Sequence, residues 1–142
     1  MSDFIVDASV AVKWFASEVD SLVADELSAS NPRLFAPRLI LTEVANTLGR
    51  KAIAGLMSAA EACAYVRSLP QYFDGLLAVD AMIEPPLENA CYNRHPIYDF
   101  IYLEAARGLN AQLVTADRRF VAKIDSTDFA RHVTLLSDWR PE

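Results

Sequence analysis

Cysteine is scarce: Cys63 and Cys91 are the only two in 142 residues. Neither lies in a C-x-x-C pair or in a Cys/His cluster at zinc spacing, which argues against a disulfide framework or a zinc knot. Two reduced, buried thiols are expected, since free cysteine is among the residue types most often buried. No apolar run approaches the roughly 18 residues that a membrane span needs. The longest are interrupted by Asp, Lys, Glu or Pro. The opening, Met1 to Asp7, has no basic residue and carries two acids. A signal peptide is therefore not expected, and a cytoplasmic location is. Positive charge is short as well, with 13 Lys and Arg against 19 Asp and Glu and a formal net charge of −6. That sign is wrong for holding nucleic acid by bulk electrostatics. It does not exclude an enzyme that acts on nucleic acid, because an acidic cluster reverses sign locally when it binds cations. Repeats, low-complexity tracts and long Gly/Ser linkers are also missing.

What remains is one domain's worth of chain, residues 1–142, with 53% hydrophobic residues to build a core. Short apolar runs alternate with helical patterns. Strands are expected at 4–6, 34–36, 75–79, 112–115 and 133–136. Helices are expected from Ser9 as N-cap over 10–16, then over 21–28, from Pro37 to about Ala54, and over 58–69. Further helices are expected after Pro85-Pro86 to about Tyr92, over 97–107 behind Pro96, and over 118–123. Ser58 with Glu61 reads as a capping box, Gly55 as a helix stop and Gly108 as another. Continuous apolar strands separated by helices imply a parallel sheet covered on both faces, a three-layer α/β/α domain. Such folds bind ligands beyond the carboxyl ends of their strands, at a topological switch point.

Four acids fall where that rule points. Asp7 closes the first strand, and Asp117 follows the fourth after Val114-Thr115-Ala116. Asp99 sits in the first turn of the helix behind Pro96, where the helix dipole favours a carboxylate. Glu43 sits in the second turn of the helix that leaves the second strand, off the apolar stripe of Ile40, Val44 and Leu48. Each has a plain structural alternative: Asp7 and Asp117 as caps or loop acids, Asp99 as a dipole partner, Glu43 as a solvated side chain. Taken together they converge on one edge. Carboxylates so placed repel one another, and one would be driven toward protonation without a counter-charge. A hard divalent ion, Mg²⁺ or Mn²⁺, is the natural compensation, and the lack of histidine in the set argues against zinc. Two such ions can activate water and stabilise the leaving oxygen of a phosphodiester.

The residues also match a known family. Ile5-Val6-Asp7-Ala8-Ser9-Val10-Ala11-Val12-Lys13-Trp14-Phe15 resembles the opening motif of PIN-domain proteins of the VapC kind. Glu43 within Leu41-Thr42-Glu43-Val44-Ala45-Asn46 resembles the second acidic motif. Tyr98-Asp99 followed by Tyr102-Leu103-Glu104-Ala105-Ala106 resembles the third, and Leu113 to Phe120 the fourth. The resemblance runs from about residue 4 to 136. It implies a parallel five-stranded sheet and metal-dependent endonucleolytic cleavage of RNA. It implies that Asp7, Asp99 and Asp117 bind Mg²⁺ or Mn²⁺ directly, with Glu43 binding directly or through water, and that Ser9 and Thr115 steady the site. It also implies a homodimer and a small antitoxin partner, the chain being the toxin of a toxin–antitoxin pair. The negative net charge suits a basic partner of that kind.

RNA must meet positive charge somewhere. Lys13, Arg50, Lys51, Arg94, Arg118 and Arg119 are the candidates, and Arg118 and Arg119 stand out because they adjoin Asp117. His95 precedes Pro96 and lies near Asp99, but a metal route needs no general base, so no catalytic role is expected of it. Two other readings compete. One is a PIN-like binding module that has lost catalysis. The other is a phosphatase using an aspartyl-phosphate; its haloacid-dehalogenase-like version wants an acid two residues after Asp7, where this chain has Ser9.

Overall fold

The computed structural model describes residues 2–30 and 32–142; Met1, part of the acidic opening, lies outside them. Five short strands form one parallel sheet: β1 (Asp3–Val6), β2 (Arg33–Pro37), β3 (Gly75–Leu77), β4 (Gln112–Thr115) and β5 (Val133–Leu135), in the order β3-β2-β1-β4-β5. Register is set by Ile5 opposite both Phe35 and Leu113, and by Val114 opposite Val6 and Thr134. The three central strands are apolar without alternation because helices cover both faces. Ile5, Val6, Leu34, Ala36, Leu113 and Val114 are all buried. The outer strands β3 and β5 are three residues each and only half-buried, as edge strands often are.

The helices are α1 (Ala8–Ala11), α2 (Ser21–Ala29), α3 (Leu39–Ile53), α4 (Ala59–Ser68), α5 (Glu84–Asn93), α6 (Ile97–Gly108) and α7 (Arg118–Ile124). Right-handed crossovers place α1–α4, which connect β1 to β2 and β2 to β3, on one face. The same rule sends α5–α7, on the path back through β4 to β5, to the other. The expected three-layer α/β/α domain with a parallel five-stranded sheet is what the chain forms. The chain runs outward from β1 through β2 to β3 and then returns to β4 on the other side of β1. The switch point therefore lies between β1 and β4, at their carboxyl ends.

Local chemistry sets the helix ends. Ser58 and Glu61 form the full capping box, with both bonds at 3.0 Å. Gly55, at φ +83°, takes the left-handed conformation that ends the α3 turn at little steric cost. Several boundaries differ from those read in the sequence. The first helix is capped by Asp7 rather than Ser9, so it begins earlier and passes into a 3-10 turn at Val12–Trp14. Pro37 closes β2 instead of opening α3. Gly108 is still helical, and Asn110, at φ 51°, makes the turn instead. The two cysteines are exposed, not buried. Each follows a buried alanine, Ala62 or Ala90, so the next position around the helix points outward.

Candidate active site

At the carboxyl edge of the sheet, above the switch point, lies a cavity of about 730 Å³. Asp7, Ser9, Glu43, Asp99 and Asp117 all line it. The four acids come from four elements: the end of β1, the second turn of α3, the first turn of α6, and the cap of α7.

Each carboxylate is held by one oxygen. Asp7 Oδ2 accepts the Ser9 amide at 3.1 Å, the Thr115 hydroxyl at 3.3 Å and the Ser9 hydroxyl. Glu43 Oε1 accepts the Tyr102 hydroxyl at 2.8 Å. Asp99 Oδ2 meets His95 Nε2 at 2.6 Å. Asp117 Oδ1 accepts the Phe120 amide at 3.1 Å and so caps α7. The partner oxygen of each acid makes no hydrogen bond among the described residues. No side-chain oxygen or nitrogen among them is both fully buried and unpaired. The spare oxygens therefore keep some exposure, and all four acids line the cavity.

Ser9 and Thr115 tie the ends of β1 and β4 together. The Ser9 hydroxyl donates to Asp7 and accepts the Ala116 amide at 3.0 Å. The buried Thr115 hydroxyl donates to Asp7 and accepts the Asp117 amide at 3.1 Å. Two hydroxyls thus fix the relative placement of two acids that are 110 positions apart in sequence.

The electrostatics reflect crowding. Burial, with the neighbouring Asp99 and Glu43 charges, pushes the Asp7 carboxyl up to about 7 against the Ser9 hydrogen bonds. Burial raises Glu43 too, opposed by the Tyr102 hydrogen bond and reinforced by Asp99. Asp99 is raised by burial and by Asp117, with His95 acting the other way. The Tyr102 hydroxyl, buried and ringed by Asp7, Glu43 and Asp99, is pushed far above its usual range. It therefore remains a donor to Glu43 at any working pH.

Such a set suits a hard cation. The acids that line the cavity offer oxygen donors only, and His95, bonded through Nε2 to Asp99, is not part of the lining. Among the described residues no three acid, histidine or cysteine side chains already stand close enough to enclose an ion.

Other sequence expectations fare differently. Arg118 and Arg119 do not line the cavity. They are exposed, and Arg118 Nη2 turns to the Ser137 hydroxyl at 3.3 Å. The cations on the cavity wall are Lys13 and Arg50. His95 contributes by contact with Asp99, and its ring rests 5.2 Å from Phe120 and 5.9 Å from Phe100. Tyr102 was not singled out from the sequence. Its signal was the i, i+3 spacing from Asp99 on α6, which aims both side chains at the same edge.

A model of the PIN domain family matches residues 4–125. The chain belongs to the PIN domain family. Two solved structures share this PIN fold. One is PAE2754 from Pyrobaculum aerophilum, at 22% identity and TM-score 0.71, over 96% of this chain and 90% of that one. The other is VapC20 from Mycobacterium tuberculosis, a sarcin-ricin loop cleaving toxin, at 17% identity and TM-score 0.69, over 84% and 93%. At these identities they establish the fold. No curated protein matches the chain. No helix among the described residues is long and apolar enough to cross a membrane.

Proposed function

We propose that this PIN domain is a metal-dependent endoribonuclease that hydrolyses RNA phosphodiester bonds and serves as the toxin of a VapBC-type toxin–antitoxin pair. One observation carries the reading: four acids from four elements, each with one carboxylate oxygen pinned by an internal partner, line one cavity at the switch point of the sheet. Family membership supports nuclease chemistry, and the likeness to VapC20 supports the toxin role. Asp7, Asp99 and Asp117 would hold Mg²⁺ or Mn²⁺, with Glu43 binding directly or through water. A bound ion of this kind neutralises the acids and the phosphate and supplies an activated water for hydrolysis.

The chain's own part is orientation. Ser9 and Thr115 fix the Asp7 carboxylate, Tyr102 fixes Glu43, and His95 fixes Asp99, so that little rearrangement is needed when substrate arrives. A net charge of −6 fits a basic antitoxin. A homodimer and a cytoplasmic location belong to the same proposal.

The test is cleavage of bulk cellular RNA by the purified protein, with Mn²⁺ or Mg²⁺ against EDTA, wild type beside Asp99→Asn. Metal-dependent cutting that the variant lacks is the expected result. Cutting that persists in EDTA, or in the variant, would remove the acids from the reaction.

A further inference from the structure

The acids occupy only part of the cavity. One face of α3 forms its wall, carrying Glu43, Asn46, Thr47 and Arg50 into the lining. These are spaced i, i+3, i+4 and i+7 and so lie in one row along the helix. Beyond Glu43 the row is chemically unspent. Among the described residues, the Asn46, Thr47 and Arg50 side chains make no hydrogen bond and Arg50 makes no ion pair. The other cation of the wall is committed: Lys13 Nζ donates to the Val19 carbonyl at 2.7 Å and reaches Glu18 at 3.5 Å. Glu18 is shared further with Lys51 at 2.6 Å.

We infer that Arg50, with Asn46 and Thr47, forms a phosphodiester-backbone subsite that grips single-stranded RNA beside the cutting position. The inference rests on the ribonuclease reading for its ligand class. Arg50 lies seven residues past Glu43, about 10 Å along the helix axis. A strand that leaves the acids along this wall brings a flanking phosphate within reach of the guanidinium. An arginine fork suits a phosphate's paired oxygens better than a lysine point charge does. Asn46 and Thr47 stand between the acids and Arg50 and offer sequence-neutral donors to sugar and phosphate. The charge order along the wall, acids at one end and Arg50 at the other, suits a phosphate chain, which meets attraction at both ends once cations sit at the acids.

The probe is a short, mixed-sequence, 5′-fluorescein-labelled single-stranded RNA, titrated by anisotropy over a range of salt with Ca²⁺ as the divalent ion. One phosphate contact on a single strand contributes about 0.7 to the slope of log K against log salt. Arg50→Gln is expected to weaken binding and lower the slope by about that amount. Arg50→Lys is expected to weaken binding while keeping the slope, and Asn46→Ala to do the same. Arg67→Gln, which removes an exposed cation on α4, is the control for bulk charge. Melting temperatures close to wild type establish that each variant is folded. An unchanged affinity and slope in Arg50→Gln overturns the subsite, as does an equal loss in Arg67→Gln. Absence of RNA binding by the wild type overturns it as well and leaves the wall to a protein partner. Cleavage is scored separately with Mn²⁺, so a chain that binds through Arg50 but does not cut sinks the nuclease reading and not the subsite.

Discussion

Replacing Asp7 with asparagine separates the two duties of that residue. The amide keeps an oxygen for the Ser9 amide and the two hydroxyls, and it removes the charge. In the folded protein without metal, Asp7 holds its proton up to about pH 7 instead of the usual 3.8. Between those values the native state keeps a proton that the unfolded chain has released, so stability falls as pH rises through the window and levels off above about 7. The window spans about three pH units, which sets a ceiling of about 4 kcal/mol on the cost of ionising Asp7. That ceiling already contains the Ser9 hydrogen bonds to the charged form, and relaxation and water penetration around an ionised carboxylate bring the realised cost to about half of it. Asp7→Asn should therefore be more stable than wild type by about 2 kcal/mol at pH 8 in EDTA, a rise of roughly 5 °C in Tm for a chain of this size. Near pH 4 the difference should vanish. Thermal melts by circular dichroism at the two pH values, beside a cleavage assay, measure both duties. A variant no more stable than wild type at pH 8, or one equally favoured at both pH values, would refute the idea that charge at Asp7 strains the fold. Cleavage is expected to be lost in the same variant.

Excess Mn²⁺ should raise the wild-type Tm, by the equivalent of about 2.7 kcal/mol at a hundred times the dissociation constant. The gain should be larger at pH 8 than at pH 6, since the metal competes with the Asp7 proton; equal gains would argue against binding at these acids. His95→Phe keeps an aromatic ring beside Phe120 but frees Asp99, and should weaken Mn²⁺ affinity by about 10- to 100-fold in a calorimetric titration. Tyr102→Phe leaves Glu43 without its internal donor in a half-buried place. A loss of about 1–2 kcal/mol is expected in chemical denaturation, and an unchanged midpoint would mean that water replaces the hydroxyl freely.

Much of this architecture can be read from the amino-acid order because the central strands are buried on both faces and so appear as unbroken apolar runs. The edge strand at Gly75–Leu77 is harder to bound, since half-buried residues carry a weaker pattern. The four acids were legible as a group because three of them mark strand or helix ends, positions where the chain itself announces the site. Their partners were not. A fully buried tyrosine reads as core, and only the three-dimensional position of Glu43 reveals what Tyr102 donates to. The direction of Arg118 and Arg119 was equally hidden. Adjacency to Asp117 suggested the site, whereas the helix that Asp117 caps carries both side chains outward. Cys63 and Cys91 failed on a residue-type average that their helix faces override.

Asp7 and Asp117 each begin a helix with the same carboxylate that faces the cavity. This couples architecture to chemistry in the chain's descent. Drift to alanine at either place would unravel a helix start, at about 1 kcal/mol, as well as empty the site. Drift to asparagine or serine would keep the helix and abolish only the charge. Descendants of this chain that abandon hydrolysis should therefore carry asparagine or serine at positions 7 and 117, a trace by which a retired copy is told from a working one.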